Sequence, residues 1–387
     1  MSTQVVLPRI LQIGAHASRK IVEVVASLAC CRPIILTDKT MVELGYVQAL
    51  LAQFEDAEQL PDVFDNTIPE PTVASIMQAV SKVKSKPYDC IIALGGGSPI
   101  DTAKAVAVLV KFGGEMKDYK FPYIQTQAGL PVIAIPTTAG TGSEVTKFTI
   151  ITDQDTDEKM LCAGPGFMPA AALIDYTLTL SLPQRITADT GIDALTHAIE
   201  AYVSKKANLY SDSQALAAMK LLALNLREAY NNGKNETARE AMMLGATLAG
   251  LAFSNASVAL VHGMSRPIGA FFHVPHGLSN AMLLPSVTAF SITSATARYA
   301  TCARTMGVAA SHHSDEQACE LLINELQQIN VDLKVPTPKE FGIEKDAFFA
   351  VCTTMAEQAL ASGSPGNNPR VPSVKEMVAI YHGLWDK

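Results

Sequence analysis

Asp193 and His197 stand four residues apart in Gly191-Ile-Asp-Ala-Leu-Thr-His-Ala-Ile-Glu200. On a helix, that spacing sends both side chains off one face, a turn apart. A carboxylate and a neutral imidazole so placed give a divalent ion two ligands. A second segment carries more of the same chemistry, with His262, His273 and His276 between Val261 and Gly277. Of eight histidines, four fall in these two segments within an otherwise apolar region. The donor types suit Zn, Fe or Mn and leave the choice among them open. His16, His312, His313 and His382 have no such company.

A different chemistry is written in Cys90-Ile-Ile-Ala-Leu-Gly95-Gly96-Gly97-Ser98-Pro99-Ile-Asp101. An apolar strand, three glycines and a helical pattern follow one another. The glycines turn tightly and let backbone N–H groups approach an anion. Ser98 is expected to cap the helix, Pro99 suits its first turn, and the helix N-terminus attracts negative charge. Together they read as a pyrophosphate cradle. The acid of the usual dinucleotide fingerprint follows its glycines. Here Asp38 precedes them, closing Ile34-Ile-Leu-Thr. An Asp there can bind an adenosine ribose and repel a 2′-phosphate; a plain turn or helix cap is the other reading. A further loop, Pro136-Thr137-Thr138-Ala-Gly140-Thr141-Gly142-Ser143-Glu144, follows the next strand with hydroxyls suited to ribose and phosphate.

The elements that must hold these residues fall into two kinds. Up to about residue 180, short apolar runs (Pro33–Thr37, Cys90–Leu94, Val132–Ile135, Ala171–Ile174) alternate with helical patterns such as Val73–Val83 and Ile100–Lys111. That alternation predicts a parallel sheet covered on both faces. Thr146–Thr152 and Lys159–Cys162 read as a hairpin with Asp153–Glu158 as its polar turn. Beyond Leu182-Pro183 the strand-like runs vanish, and helical patterns take over at 191–202, 211–225, 238–253 and 256–271. The expected domains are therefore 1–182, α/β, and 183–387, all-α. Near His276, Pro275 and Gly277 are expected to break the helix.

A length of 387 residues fits about two domains at roughly 150 residues each. With 48% hydrophobic residues the chain is not disordered. The net charge of −7, from 30 basic and 37 acidic residues without a Lys/Arg-rich run, excludes a nucleic-acid footprint. The most apolar stretch, Leu244–Met264, is interrupted by Thr247, Ser254, Asn255, Ser257 and His262, so no membrane partner is expected. The first residues lack the pattern of a secretory signal. Seven cysteines, with Cys30 and Cys31 adjacent, make no disulfide framework. They read as small buried hydrophobes in a cytoplasmic protein.

On the motifs Gly95–Asp101, Pro136–Glu144, Gly191–Glu200 and His262–Gly277, the chain resembles the iron-containing alcohol dehydrogenase family over essentially its whole length. The resemblance implies a Rossmann-like dinucleotide-binding domain, then an all-α metal-binding domain, in the architecture of dehydroquinate synthase, with the site in the cleft between them. It implies metal ligands Asp193, His197, His262 and His276. It also implies a pyrophosphate loop of Gly95, Gly96, Gly97 and Ser98 with Asp101. Asp38 would read the ribose, with cofactor contacts at Thr137, Thr138, Thr141 and Lys159. The implied activity is NAD-dependent oxidation of a small primary alcohol, or reduction of its aldehyde, with Fe2+ or else Zn2+, in a homodimer or larger assembly. Two positions depart from the family. Arg266 stands where many members have a second histidine, and Glu70 where several have Asn. His273, or a water held by Arg266, is the candidate proton relay. The competing assignments are a lyase or cyclase of the dehydroquinate-synthase type, using NAD transiently, and a non-enzymatic metal- or nucleotide-binding regulator. The lyase needs several basic residues for a phosphorylated substrate, and Arg266 is the obvious one present.

Overall fold

The computed structural model describes residues 2–55, 60–156 and 158–385. Contacts divide the chain into two compact units, Gln4–Ser181 and Leu182–Lys387 with Met1–Thr3.

The first unit has eight strands among its described residues: β1 (Ile10–Ile13), β2 (Pro33–Leu36), β3 (Asp62–Phe64), β4 (Cys90–Gly95), β5 (Val132–Pro136), β6 (Phe148–Asp153), β7 (Glu158–Ala163) and β8 (Ala171–Ile174). Six make a parallel sheet in the order β1-β8-β5-β4-β2-β3, and β6 and β7 pair as an antiparallel hairpin. Five α-helices accompany them among the described residues: α1 (Ile21–Ser27), α2 (Lys39–Glu43), α3 (Tyr46–Leu51), α4 (Val73–Lys84) and α5 (Gly97–Phe112). Successive strand residues point to opposite faces. Ile34, Leu36, Ile91, Ala93, Val132 and Ala134 thus join the core under α4 and α5. Ile35, Cys90, Ile92, Leu94, Ile133 and Ile135 join the core under α1, α2 and α3. Burial on both faces is why these strands are continuously apolar.

The sequence does not announce β1 or β3. Both lie at sheet edges, and β3 has three residues, all partly exposed. The expected hairpin forms with its strands shifted by a residue or two, and Asp157 of its turn lies outside the described residues. Ser98 is not the cap of α5. The helix begins at Gly97 with Gly96 as N-cap, so Ser98 sits in the first turn. Cys31 departs from the expected burial: it is exposed, just before β2, while the other six cysteines are buried. Asp89, which precedes β4, fastens that segment by accepting from the N–H groups of Cys31 and Arg32 at 2.9 Å each.

The second unit is helical throughout its regular elements: α6 (Gln184–Val203), α7 (Leu209–Asn231), α8 (Glu236–Asn255), α9 (Leu260–Phe272), α10 (His276–Ser291), α11 (Thr296–Thr305), α12 (Asp315–Asp332), α13 (Lys345–Ala361) and α14 (Val374–Gly383). Glycine sets how closely α6, α7 and α8 approach. A Cβ on Gly191 of α6 would lie 2.4 Å from Leu226 Cδ1, and one on Gly245 of α8 would lie 2.8 Å from Leu222 Cγ. Buried Arg239 ties α8 to the start of α6 through Thr187 Oγ1 at 2.9 Å. Among the described residues no single helix is long and apolar enough to cross a membrane. The apolar stretch seen in the sequence is divided between α8 and α9, which are bent by 103° to one another.

Candidate metal centre and nucleotide loops

Helix α6 presents Asp193, His197 and Glu200 at i, i+4 and i+7, all buried. The helices α9 and α10 supply the complement. His262 lies in the first turn of α9, and His276 is the first residue of α10. Pro275 is the N-cap of α10. Gly277 does not break the helix as expected; it is helical, and a Cβ there would fall 2.3 Å from the carbonyl oxygen of Asp189 on α6. The bare Cα lets α10 lie against α6 and delivers His276 to Asp193.

Asp193 Oδ1 is the hub. It lies 3.4 Å from His262 Nε2 and 3.8 Å from both His276 Nε2 and His197 Nε2. Ligands at about 2.1 Å from a tetrahedral ion are separated by about 3.4 Å, so these spacings fit a first-row divalent metal. Asp193, His262 and His276 offer atoms all within 4.8 Å of one another. His197 stands at the edge of this trio, its ring stacked between Phe253 at 4.2 Å and His262 at 4.5 Å.

Two residues not singled out in the sequence complete the arrangement. Glu200 accepts from His262 Nδ1 at 2.7 Å, from Val261 N at 2.5 Å and from Ala259 N at 2.8 Å. It therefore holds the N-terminus of α9 and fixes the imidazole with Nε2 facing Asp193. Asn280 of α10 brings its Nδ2 to 2.6 Å from Asp193 Oδ1 and 3.2 Å from Nε2 of both His262 and His276. Three acceptors thus surround an amide with two protons, while Asn280 Oδ1 is buried without a hydrogen-bond partner among the described residues. That surplus of lone pairs is what a bound cation satisfies. Helical spacing carries the signal for both residues: Glu200 follows Asp193 by seven, and Asn280 follows His276 by four.

Burial raises the Asp193 carboxyl, but His197, His276 and His262 outweigh it and hold the group below the usual carboxylate range. Desolvation and the neighbouring imidazoles push His276 below its ordinary value against the pull of Asp193, keeping its ring neutral. His262 is held above its ordinary value despite burial, chiefly by Glu200. A carboxylate behind a ligating histidine typically sets metal affinity by 10–100-fold. Glu200→Gln is therefore expected to weaken metal binding by roughly 10–100-fold with helicity unchanged, measured by chelator competition beside circular dichroism. His273 is exposed, in a left-handed conformation at the end of α9, and takes no place in the trio.

In the α/β unit, Asp38, the glycines and the threonine loop follow β2, β4 and β5, which are neighbours in the sheet. Asp38 caps α2, accepting from Met41 N at 3.1 Å through Oδ1. Its Oδ2 lies 3.5 Å from the place a Cβ would take on Gly95. A Cβ on Gly96 would meet Thr138 at 3.5 Å, and one on Gly97 would meet Thr141 at 3.0 Å. Thr137, buried, donates its N–H to Gly95 O at 3.0 Å. Asp38, the glycines and the threonines are thus brought together around the N-terminus of α5. Asp101 faces inward and accepts from Ser143 Oγ at 2.5 Å and Ile150 N at 3.1 Å. Lys159 pairs with Glu70 Oε1 at 2.6 Å.

The sequence reading missed Lys104, whose ammonium is buried in α5. It donates to Ser143 Oγ and Thr146 Oγ1 at 3.0 Å each and to Phe148 O at 2.8 Å. Burial pulls it down to about 8 against Asp101 and Glu144, and its three bonds brace the end of the threonine loop. Its signal was a cation three residues after Asp101, at the head of the apolar run Ala105–Val110.

Two family models match the chain. Iron-containing alcohol dehydrogenase covers residues 8–176, and Fe-containing alcohol dehydrogenase family, C-terminal, covers 187–385. Lactaldehyde reductase of Escherichia coli (strain K12) is 33% identical over 100% of both chains. The solved structure of a 1,3-propanediol oxidoreductase superimposes with a TM-score of 0.95 at 32% identity, covering 99% of this chain and 100% of that one. A sulfoacetaldehyde reductase from Bifidobacterium kashiwanohense, solved in complex with NAD+, gives 0.90 at 27% identity over 100% of both. These relatives are alcohol and aldehyde oxidoreductases, which does not favour the lyase assignment. The chain belongs to the iron-containing alcohol dehydrogenase family, and it is a metal-dependent alcohol and aldehyde oxidoreductase.

Proposed function

We propose that this chain interconverts a small primary alcohol and its aldehyde using NAD and Fe2+ held by Asp193, His197, His262 and His276. The observation that carries the reading is the convergence of Asp193 Oδ1 with the Nε2 atoms of His262 and His276 at 3.4 and 3.8 Å. When bound, the ion supplies Lewis-acid polarisation of the alcohol oxygen, and the nicotinamide takes or returns the hydride. Glu200 keeps His262 in the tautomer that offers Nε2. Asn280 steadies Asp193 through its 2.6 Å hydrogen bond. In the α/β unit, the N–H groups opening α5 bind the pyrophosphate without interference from side chains at Gly95, Gly96 and Gly97.

The choice of NAD rests on Asp38, whose Oδ2 faces Gly95 while Oδ1 caps α2. A carboxylate there accepts from ribose hydroxyls and repels a 2′-phosphate. The NAD+ complex of the sulfoacetaldehyde reductase supports this choice. The test is an assay on protein purified without air, reloaded with Fe2+ or Zn2+, and followed by NADH absorbance over short alcohols and aldehydes. Turnover is expected with Fe2+ and NAD. Asp38→Gly is expected to narrow the NAD-over-NADP ratio by about tenfold or more, the worth of one charge-assisted contact. Equal use of both cofactors by the unaltered chain reduces Asp38 to a helix cap.

A further inference from the structure

Arg266 lies one turn beyond His262 on α9, a spacing that puts both side chains on the same side of the helix. Its Nη1 donates to Ser364 Oγ at 3.1 Å, and its Nε is buried with no hydrogen-bond partner among the described residues. Ser364 is held there because α9 carries Gly263: a Cβ at that position would sit 2.7 Å from Cγ of Pro365. The guanidinium forms no ion pair among the described residues. Glu200, the acid whose charge reaches it, has both oxygens committed to Ala259 N, Val261 N and His262 Nδ1. Asp193 Oδ1 is engaged by Asn280. A cation removed from water without a counter-charge is costly, and the cost is recovered when an anion arrives. The Nε edge of a guanidinium is one side of a planar fork that binds a carboxylate or sulfonate through two parallel hydrogen bonds.

We infer that the aldehyde this chain reduces carries an anionic head, a carboxylate or sulfonate, and that Arg266 binds it. The inference rests on the proposed function and names its substrate class. The reaction is R–CHO + NADH + H+ → R–CH2OH + NAD+, with the negative charge on R unchanged throughout. The ion-binding residues take the reacting end, and Arg266 with Ser364 takes the charged one. A histidine at this place, with one ring N–H to donate in its neutral form, would offer no such fork.

The test compares glyoxylate, 3-oxopropanoate, 4-oxobutanoate and 2-oxoethanesulfonate, each carboxylate beside its methyl ester. In the unaltered enzyme the preferred acid is expected to exceed its ester in kcat/KM by about 100-fold, the range of a charge-assisted pair. Arg266→Gln is expected to bring that ratio close to one. Arg266→Lys, which keeps the charge and loses the fork, is expected to fall between. The 2-oxoethanesulfonate arm distinguishes a sulfonate head from a carboxylate. A second readout needs no turnover: succinate, but not succinamide, is expected to raise the melting temperature of the unaltered protein and of Arg266→Lys, and not of Arg266→Gln. Acids and esters reduced equally well, with no succinate shift, overturn the inference and leave the proposed function standing. No reduction of any aldehyde, charged or neutral, overturns the proposed function, and the succinate shift then decides the role of Arg266 by itself.

Discussion

His262→Ala and His276→Ala each retain less than about a tenth of the metal of the unaltered chain, with turnover reduced on the order of a thousandfold. These are the expected outcomes of elemental analysis paired with steady-state kinetics. The kinetic figure follows from the several kcal/mol of charge stabilisation that a Lewis acid contributes. The loss of metal follows from geometry. Asp193 and His197 come from one helix, and their ligand atoms are 3.8 Å apart, so that pair alone closes one side of an ion. His262 and His276 would close the others from α9 and α10. His273→Ala is expected to keep full metal, because that side chain points into solvent from the end of α9. Full metal and activity in His276→Ala, or metal loss in His273→Ala, would place the fourth ligand elsewhere.

Gly277→Ala is expected to impair the centre without touching a ligand. Its Cβ would stand 2.3 Å from the Asp189 oxygen and 2.8 Å from the carbonyl carbon, and backbone cannot swing aside as a side chain can. Overpacking of this kind costs about 2 kcal/mol. For a unit of this size that is a fall of about 4–8 °C in melting temperature. The displacement falls on the first turn of α10, where His276 resides, so metal affinity drops along with stability. Gly383→Ala is the control, since among the described residues nothing lies within 4 Å of its Cβ and the residue is helical. A Gly277→Ala protein with unchanged melting and metal content would show that α10 approaches α6 less closely than described.

The main architecture was legible because buried parallel strands announce themselves as unbroken apolar runs, and β2, β4, β5 and β8 were of that kind. The edge strands β1 and β3 were not, since one partner and partial exposure demand no such composition. Of the centre, Asp193 and His197 were readable from spacing alone. His276 was separable from His273 through the family resemblance and the break at Pro275. Glu200 and Asn280 were visible only as polar residues, because their importance depends on which side chain each meets from another helix. Ser98 illustrates the opposite error. A serine before a helical run is a good cap on average, yet the glycine turn starts α5 two residues earlier, with Gly96 as the cap, and places Ser98 inside it. Gly277 was read as a breaker, whereas its part is to admit a neighbouring backbone.

Cys31, the exposed thiol ahead of β2, opens the opposite end of the sheet from Asp38 and the glycine turn. The seven residues from Cys31 to Asp38 span roughly 20–25 Å if extended at about 3.3 Å each. The other six thiols are buried, and desolvation raises those of Cys90, Cys162, Cys302, Cys319 and Cys352 well above their ordinary value. A maleimide dye at near-neutral pH would therefore attach selectively at Cys31. A dye absorbing where reduced nicotinamide emits would lie within energy-transfer range of a dinucleotide on the glycine loop and clear of the residues proposed to hold it. The chain thus carries a built-in attachment point for an optical sensor of its own coenzyme occupancy.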